Sequence, residues 1–133
     1  MKKLSLLALS ILGVIIINTS VALACDPTTP DRPFYGYTIY PNLANNYTPY
    51  QTKQTGNTHS YSKVTKLSNI SSVDLWIDSA GQITPLYTLS PSSYFTPMYY
   101  YSNYGVGTSV RVGMENTYNS SVTGYVDGVV DYE

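Results

Sequence analysis

From residue 34 onward, no window of eleven or more residues repeats apolar side chains at helical spacing. Short runs of Tyr, Val, Ile and Thr recur instead between clusters of Gly, Pro, Asn and Ser, so this chain can bury a core only by pairing strands. The expected fold class is all-β, a small antiparallel β-sandwich or barrel-like domain. Residues 72–79 read most clearly, because Val73, Leu75 and Ile77 alternate with Asp74, Trp76 and Asp78, and the aliphatic face should be core. Residues 109–115 place Val110, Val112 and Met114 on one face. Residues 121–130 set Val122, Gly124 and Val126 against Thr123, Tyr125 and Asp127, and residues 34–40 set Tyr35, Tyr37 and Ile39 together. In residues 58–67, Tyr61 and Leu67 share one parity and Val64 takes the other, the weak specification of an edge strand. Pro85 and Pro97 confine residues 83–89 and 94–101 to edges, strand ends or bulges. Turn chemistry marks residues 45–46, 54–57, 80–81, 103–105 and 116–120.

The first 24 residues read differently. Lys2 and Lys3 precede an almost unbroken apolar run over residues 4–17, and Ala22-Leu23-Ala24 supplies small residues at a cleavage point. This is the pattern of a cleaved signal peptide, and the run falls short of the roughly 18 to 20 residues a spanning helix needs. Residues 25–33 then hold three prolines and read as a leader, with a single β domain over residues 34–133. The expected location is extracellular.

Cys25, the first residue after the cleavage point, is the sole cysteine, so no intramolecular disulfide can form and the core must carry stability. Lipidation of Cys25 is the alternative, which would make the protein a surface lipoprotein and give it a membrane partner. Ala22-Leu23-Ala24 follows a polar Asn18-Thr19-Ser20 stretch, which suits ordinary cleavage and secretion better.

Seven Lys and Arg against eight Asp and Glu leave a formal charge of −1, without the basic field that nucleic-acid binding needs. The single histidine, His59, has no Gly-x-Ser-x-Gly elbow to serve, and its bland reading is an exposed strand or turn residue. Zinc lacks ligands, and Asn116, Asn119, Asp127 and Asp131 do not have the spacing of a calcium loop. No metal or cofactor is therefore expected. Asp74 and Asp78 flank Trp76 on one strand face, an arrangement that can grip a sugar by ring stacking and hydroxyl acceptance. They lie about 13 Å apart at roughly 3.3 Å per residue, beyond the roughly 5 to 9.5 Å of glycosidase pairs, so a noncatalytic role is expected. Asn46, Asn69 and Asn119 begin Asn-x-Ser/Thr triplets, which matter only in a eukaryotic secretory pathway.

Fifteen aromatics are Tyr against two Phe and one Trp, an excess that core demand alone does not explain. Tyr with Ser, Asn, Thr and Gly is the palette of binding surfaces, where a rigid phenol adds contact area at small entropic cost. Residues 93–104 concentrate it in Tyr94, Tyr99, Tyr100, Tyr101 and Tyr104. Trp76, Asp74, Asp78, Tyr99, Tyr100 and Tyr101 are the candidate ligand contacts. The function expected is that of a secreted β-domain acting by surface contact with cell wall, glycan or protein; a secreted bacteriocin-like antagonist is the alternative.

The stretch from Val110 to Asn116, followed by Val122-Thr123-Gly124-Tyr125-Val126-Asp127, resembles the C-terminal end of an uncharacterised family of small secreted proteins from Gram-positive bacteria. Asn45-Asn46-Tyr47 in residues 41–50 is similar as well. The resemblance implies a signal peptide and a compact β-rich extracellular domain. It brings no established activity or catalytic residue, and Cys25 departs from it.

Overall fold

A computed structural model describes residues 31–133; the segment read as a signal peptide, Cys25 and the start of the segment read as a leader lie outside the described residues. In chain order the strands are β1 (Arg32–Ile39), β2 (Asn46–Tyr47), β3 (Gln51–Thr52), β4 (His59–Ser68), β5 (Val73–Asp78), β6 (Tyr87–Leu89), β7 (Thr96–Tyr99), β8 (Ser109–Asn116) and β9 (Gly124–Asp131). They pair antiparallel into two sheets, β1-β9-β4-β7 and β2-β8-β5-β6, with β3 also on β8. The sheets pack face to face as a small all-β sandwich, and the described residues form no helix.

Alternation decides the core. Val73, Leu75 and Ile77 of β5 and Val110, Val112 and Met114 of β8 are fully buried. Across from them lie Val64 of β4, Val126 and Val130 of β9, Ile39 of β1 and Met98 of β7. Each such side chain contributes roughly 1.5 to 3 kcal/mol on burial. That burial, with the strand ladders, holds the domain together.

Two strands depart from simple alternation for one reason. The register of β1 against β9 slips between Phe34 and Tyr37, and that of β4 slips between Val64 and Lys66; each slip is a β-bulge opposite Asp127 and Gly128 of β9. In β1 the extra residue is accommodated at Gly36, whose φ of 64° lies in the left-handed region and whose N–H donates to Asp127 Oδ1 at 2.6 Å. Parity inverts across it. Phe34 and Ile39 are therefore both buried while Tyr35, expected beside Tyr37 and Ile39, faces solvent.

The bulge in β4 likewise lets Val64 and Leu67 both meet the core, so its mixed parity records a bulge and not an edge. β4 lies inside its sheet, between β9 and β7, which corrects its reading as an edge strand. The prolines behave as backbone chemistry requires. β6 and β7 are edge strands, Pro97 lies in β7, and Pro33 is tolerated because β1 is an edge strand that starts at Arg32, inside the segment read as leader.

Candidate functional site

The expected contact set on β5 is not an open platform. Asp74, Trp76 and Asp78 do share the outer face, but each is taken by a partner across the strand. Gly113 of β8 lies directly beneath the indole of Trp76, where a Cβ would collide with the ring. Tyr47 of β2 closes on it edge to face, with centroids 5.8 Å apart. Trp76 is left 3% exposed, so the expectation that it is an exposed contact residue fails because β8 and β2 cover it.

Asp78 is buried as well. It accepts from Arg111 Nε at 2.8 Å and from the Tyr50 hydroxyl at 3.3 Å, while the Arg111 guanidinium sits 3.9 Å from the Tyr47 ring centroid and 4.5 Å from that of Tyr50. The buried carboxylate is thereby paired, as burial demands. Asp74 accepts from the hydroxyls of Thr88 at 2.6 Å and Thr117 at 3.1 Å, which ties the start of the β8–β9 connection to the sheet. Its cross-strand neighbour is Glu115. Partial burial, and then the Asp74 charge, push the Glu115 carboxyl above the usual carboxylate range.

The tyrosine-rich segment fares differently. Tyr99 and Tyr101 are 50% and 61% exposed, whereas Tyr100 between them points inward and is buried. Strand alternation sends neighbouring rings to opposite faces, so Tyr100 is an anchor and not a contact residue. Its hydroxyl pairs with Ser60 Oγ and donates to the Glu133 carbonyl at 3.4 Å, and its ring meets Tyr104 at 5.7 Å. Burial pushes its phenol up to about 12. The backbone is fixed too: the Tyr99 N–H donates to the Tyr87 hydroxyl at 3.0 Å and the Tyr101 N–H to the Ile83 carbonyl at 2.9 Å. The first bond ties this edge to β6 of the other sheet, and the second to the connection between β5 and β6.

Beneath the two exposed rings lies a polar cluster that sequence reasoning missed. Lys53 is fully buried; its Nζ donates to the carbonyls of Thr55, at 2.8 Å, and Glu133, and sits 5.3 Å from the Tyr100 centroid. Burial lowers its pKa to about 8, against the opposing pull of Glu133. The Glu133 carboxylate accepts from Asn57 Nδ2 at 2.9 Å and lies 3.8 Å from His59 Nε2. His59, read as an exposed strand or turn residue, is instead half-buried between Tyr61 and Tyr99, with ring centroids at 4.8 and 5.4 Å. Lys53 stands in a polar run with no periodicity, so nothing local marks it as buried.

Two hollows open elsewhere. A small one, about 60 Å³, lies between β1 and β3 beside Tyr132. A larger one, about 540 Å³, opens between the β4–β5 and β8–β9 connections. No group of three or more His, Cys, Asp or Glu among the described residues is placed to hold a metal ion. Comparison with protein-family models, curated proteins and solved structures finds no match, so the reading of this site rests on its own geometry.

Proposed function

We propose that this chain is an exported, noncatalytic β-domain that works by surface contact, with the edge bearing Tyr99 and Tyr101 as its contact surface and cell-wall glycan as the surface it meets. The observation that carries the reading is the presentation of these two rings. They project outward from a segment whose middle residue, Tyr100, is locked into the core and whose flanking N–H groups are tied across the sandwich. Rings held this way lose little entropy on contact, and a phenol offers both a stacking face and a hydroxyl to a sugar. Asp74 and Asp78 support a noncatalytic role, since both are engaged by the sheet's own hydroxyl, phenol and guanidinium groups.

The test is cosedimentation of the purified protein with wall material. Replacing Tyr99 and Tyr101 together by Ala should reduce retention about tenfold or more in a protein that still unfolds cooperatively. Unchanged retention overturns the reading, and retention lost after protease treatment of the wall would replace glycan by a protein partner. Export is tested separately by intact mass. A species matching residues 25–133 in the medium supports free secretion, while a detergent-extracted species carrying diacylglycerol on Cys25 would make the protein a surface lipoprotein.

A further inference from the structure

The β4–β5 connection brings Asn69, Ile70, Ser71 and Ser72 to one wall of the larger hollow, and the β8–β9 connection brings Tyr118, Ser120 and Val122 to the other, with Asn116 at the end of β8. This end of β4 is remote from the tyrosine edge. His59, at the other end of the strand, pairs with Tyr99, and ten residues of strand separate the two regions by about 30 Å at roughly 3.3 Å per residue. The hollow is therefore spatially separate from the tyrosine edge.

Its walls are set by the fold. Ile70 lies against the backbone of Gly124, where a Cβ would come within 2.6 Å of the Ile70 side chain, so the β4–β5 connection is seated on the first residue of β9. Asn69 takes a φ of 66°, which asparagine tolerates, and its amide donates to the Thr123 carbonyl at 3.4 Å. Opposite, the Asn116 amide donates to Ser120 Oγ at 3.2 Å and accepts from the Tyr118 N–H at 3.2 Å. That bond fixes the backbone of Tyr118 while its ring stays 66% exposed at the rim.

We infer that this hollow is a binding site for a neutral saccharide. Its lining contains no Lys, Arg, Asp, Glu or His, so a charged ligand would leave its water shell without a counter-charge to meet it. Hydroxyls and carboxamides line it beside Ile70 and Val122, and serine hydroxyls both donate and accept, as sugar hydroxyls require. An exposed phenol ring at the rim supplies the face on which the C–H side of a pyranose stacks. About 540 Å³ falls within the range of roughly 300 to 1,000 Å³ found for small-molecule sites. A lipid chain would find too many hydroxyls and amides left without partners.

The experiment is a titration of the purified protein, followed by backbone amide NMR, with chitotriose, cellotriose and maltotriose as neutral probes and a trimer of galacturonic acid as the charged one. The expected result is saturable shifts at Asn69, Ser72 and Ser120 with at least one neutral trimer, weakened about tenfold by Tyr118→Ala. Gly124→Val, which displaces Ile70 toward the hollow, should abolish them, with retained chemical-shift dispersion showing that the fold survives. The Tyr99→Ala, Tyr101→Ala protein should bind as the parent does. No saturable shift with any neutral trimer overturns the inference, as does preference for the charged trimer. Shifts that survive Tyr118→Ala but vanish in the tyrosine-edge variant would place the sugar at the other end and overturn it equally.

Discussion

The two ends of β4 show what burial does to polar side chains in a sandwich this small. At the His59 end, Lys53, Ser60, Tyr100 and Glu133 are all buried, and their polar groups close on one another. At the Ser68 end, Asn69, Ser71, Ser72 and Ser120 surround a hollow that is open to solvent. The first arrangement gains rigidity because a desolvated amine has no alternative to the carbonyls it holds. The second keeps its hydroxyls in water, where exchanging solvent for a ligand costs little. Polar residues at the closed end therefore specify structure, while at the open end Asn69 and Ser71 stay exposed.

The largest effect that can break this comparison is at Lys53. Lys53→Ala removes the donor to the half-buried Thr55 carbonyl and the buried Glu133 carbonyl and the stem packed beside Tyr100, and should cost about 3 kcal/mol or more in urea unfolding. Tyr118→Ala at the open end should stay within about 0.5 kcal/mol of the parent. Equal losses at the two positions would sink the distinction.

A pH profile sharpens it. Lys53 has a folded pKa near 8 against an ordinary 10.5, so between those values the unfolded chain binds more protons than the folded one, and stability rises with pH. Tyr100 and Tyr132 act in the opposite sense. Burial raises both to about 12 from 10, so above pH 10 the unfolded chain sheds phenol protons first and stability falls. Tm should accordingly climb from pH 8 to a maximum near pH 10 and then decline. Lys53→Met should flatten the climbing limb while leaving the decline in place; a climb that persists in this variant would show that the closed end does not control it.

The sequence made the open pattern of the sandwich legible and hid most of its sites. Period-two alternation in β5 and β8 identified the residues that fill the core, because a side chain's face follows directly from its parity. Parity misled at Tyr35 and in β4, where bulges opposite Asp127 and Gly128 invert it, and Gly36 was the one local sign of either. Tyr99 and Tyr101 were read correctly as exposed, but Trp76 was not. What covers an outer face arrives from elsewhere in the chain. In this case Tyr47, 29 residues before Trp76, and Gly113, 37 after it, decide the matter, and no local pattern carries that information. The same holds for Lys53 and for the hollow, each assembled from connections distant in sequence.

The smallest expected effect lies beside the open end, at Glu115, the neighbour of Asn116 in β8. Glu115 stands directly across from Asp74, and like charges so placed destabilise a strand pair. Its raised pKa means that the folded chain holds this proton to higher pH than the unfolded chain does, so burial of the carboxylate, and then the Asp74 charge, cost stability as pH rises above the ordinary range near 4.5. Glu115→Gln keeps the shape and removes the repulsion, while Asp74 retains the Thr88 and Thr117 hydroxyls that tie down the rim of the hollow. The substitution should stabilise the protein by about 0.5 kcal/mol at pH 7, or roughly 2 to 4 °C in Tm. The gain should shrink toward zero at pH 4, where the parent Glu115 is itself protonated. A gain of equal size at both pH values would trace the effect to packing, and a loss at pH 7 would show that Glu115 holds the rim through a contact of its own.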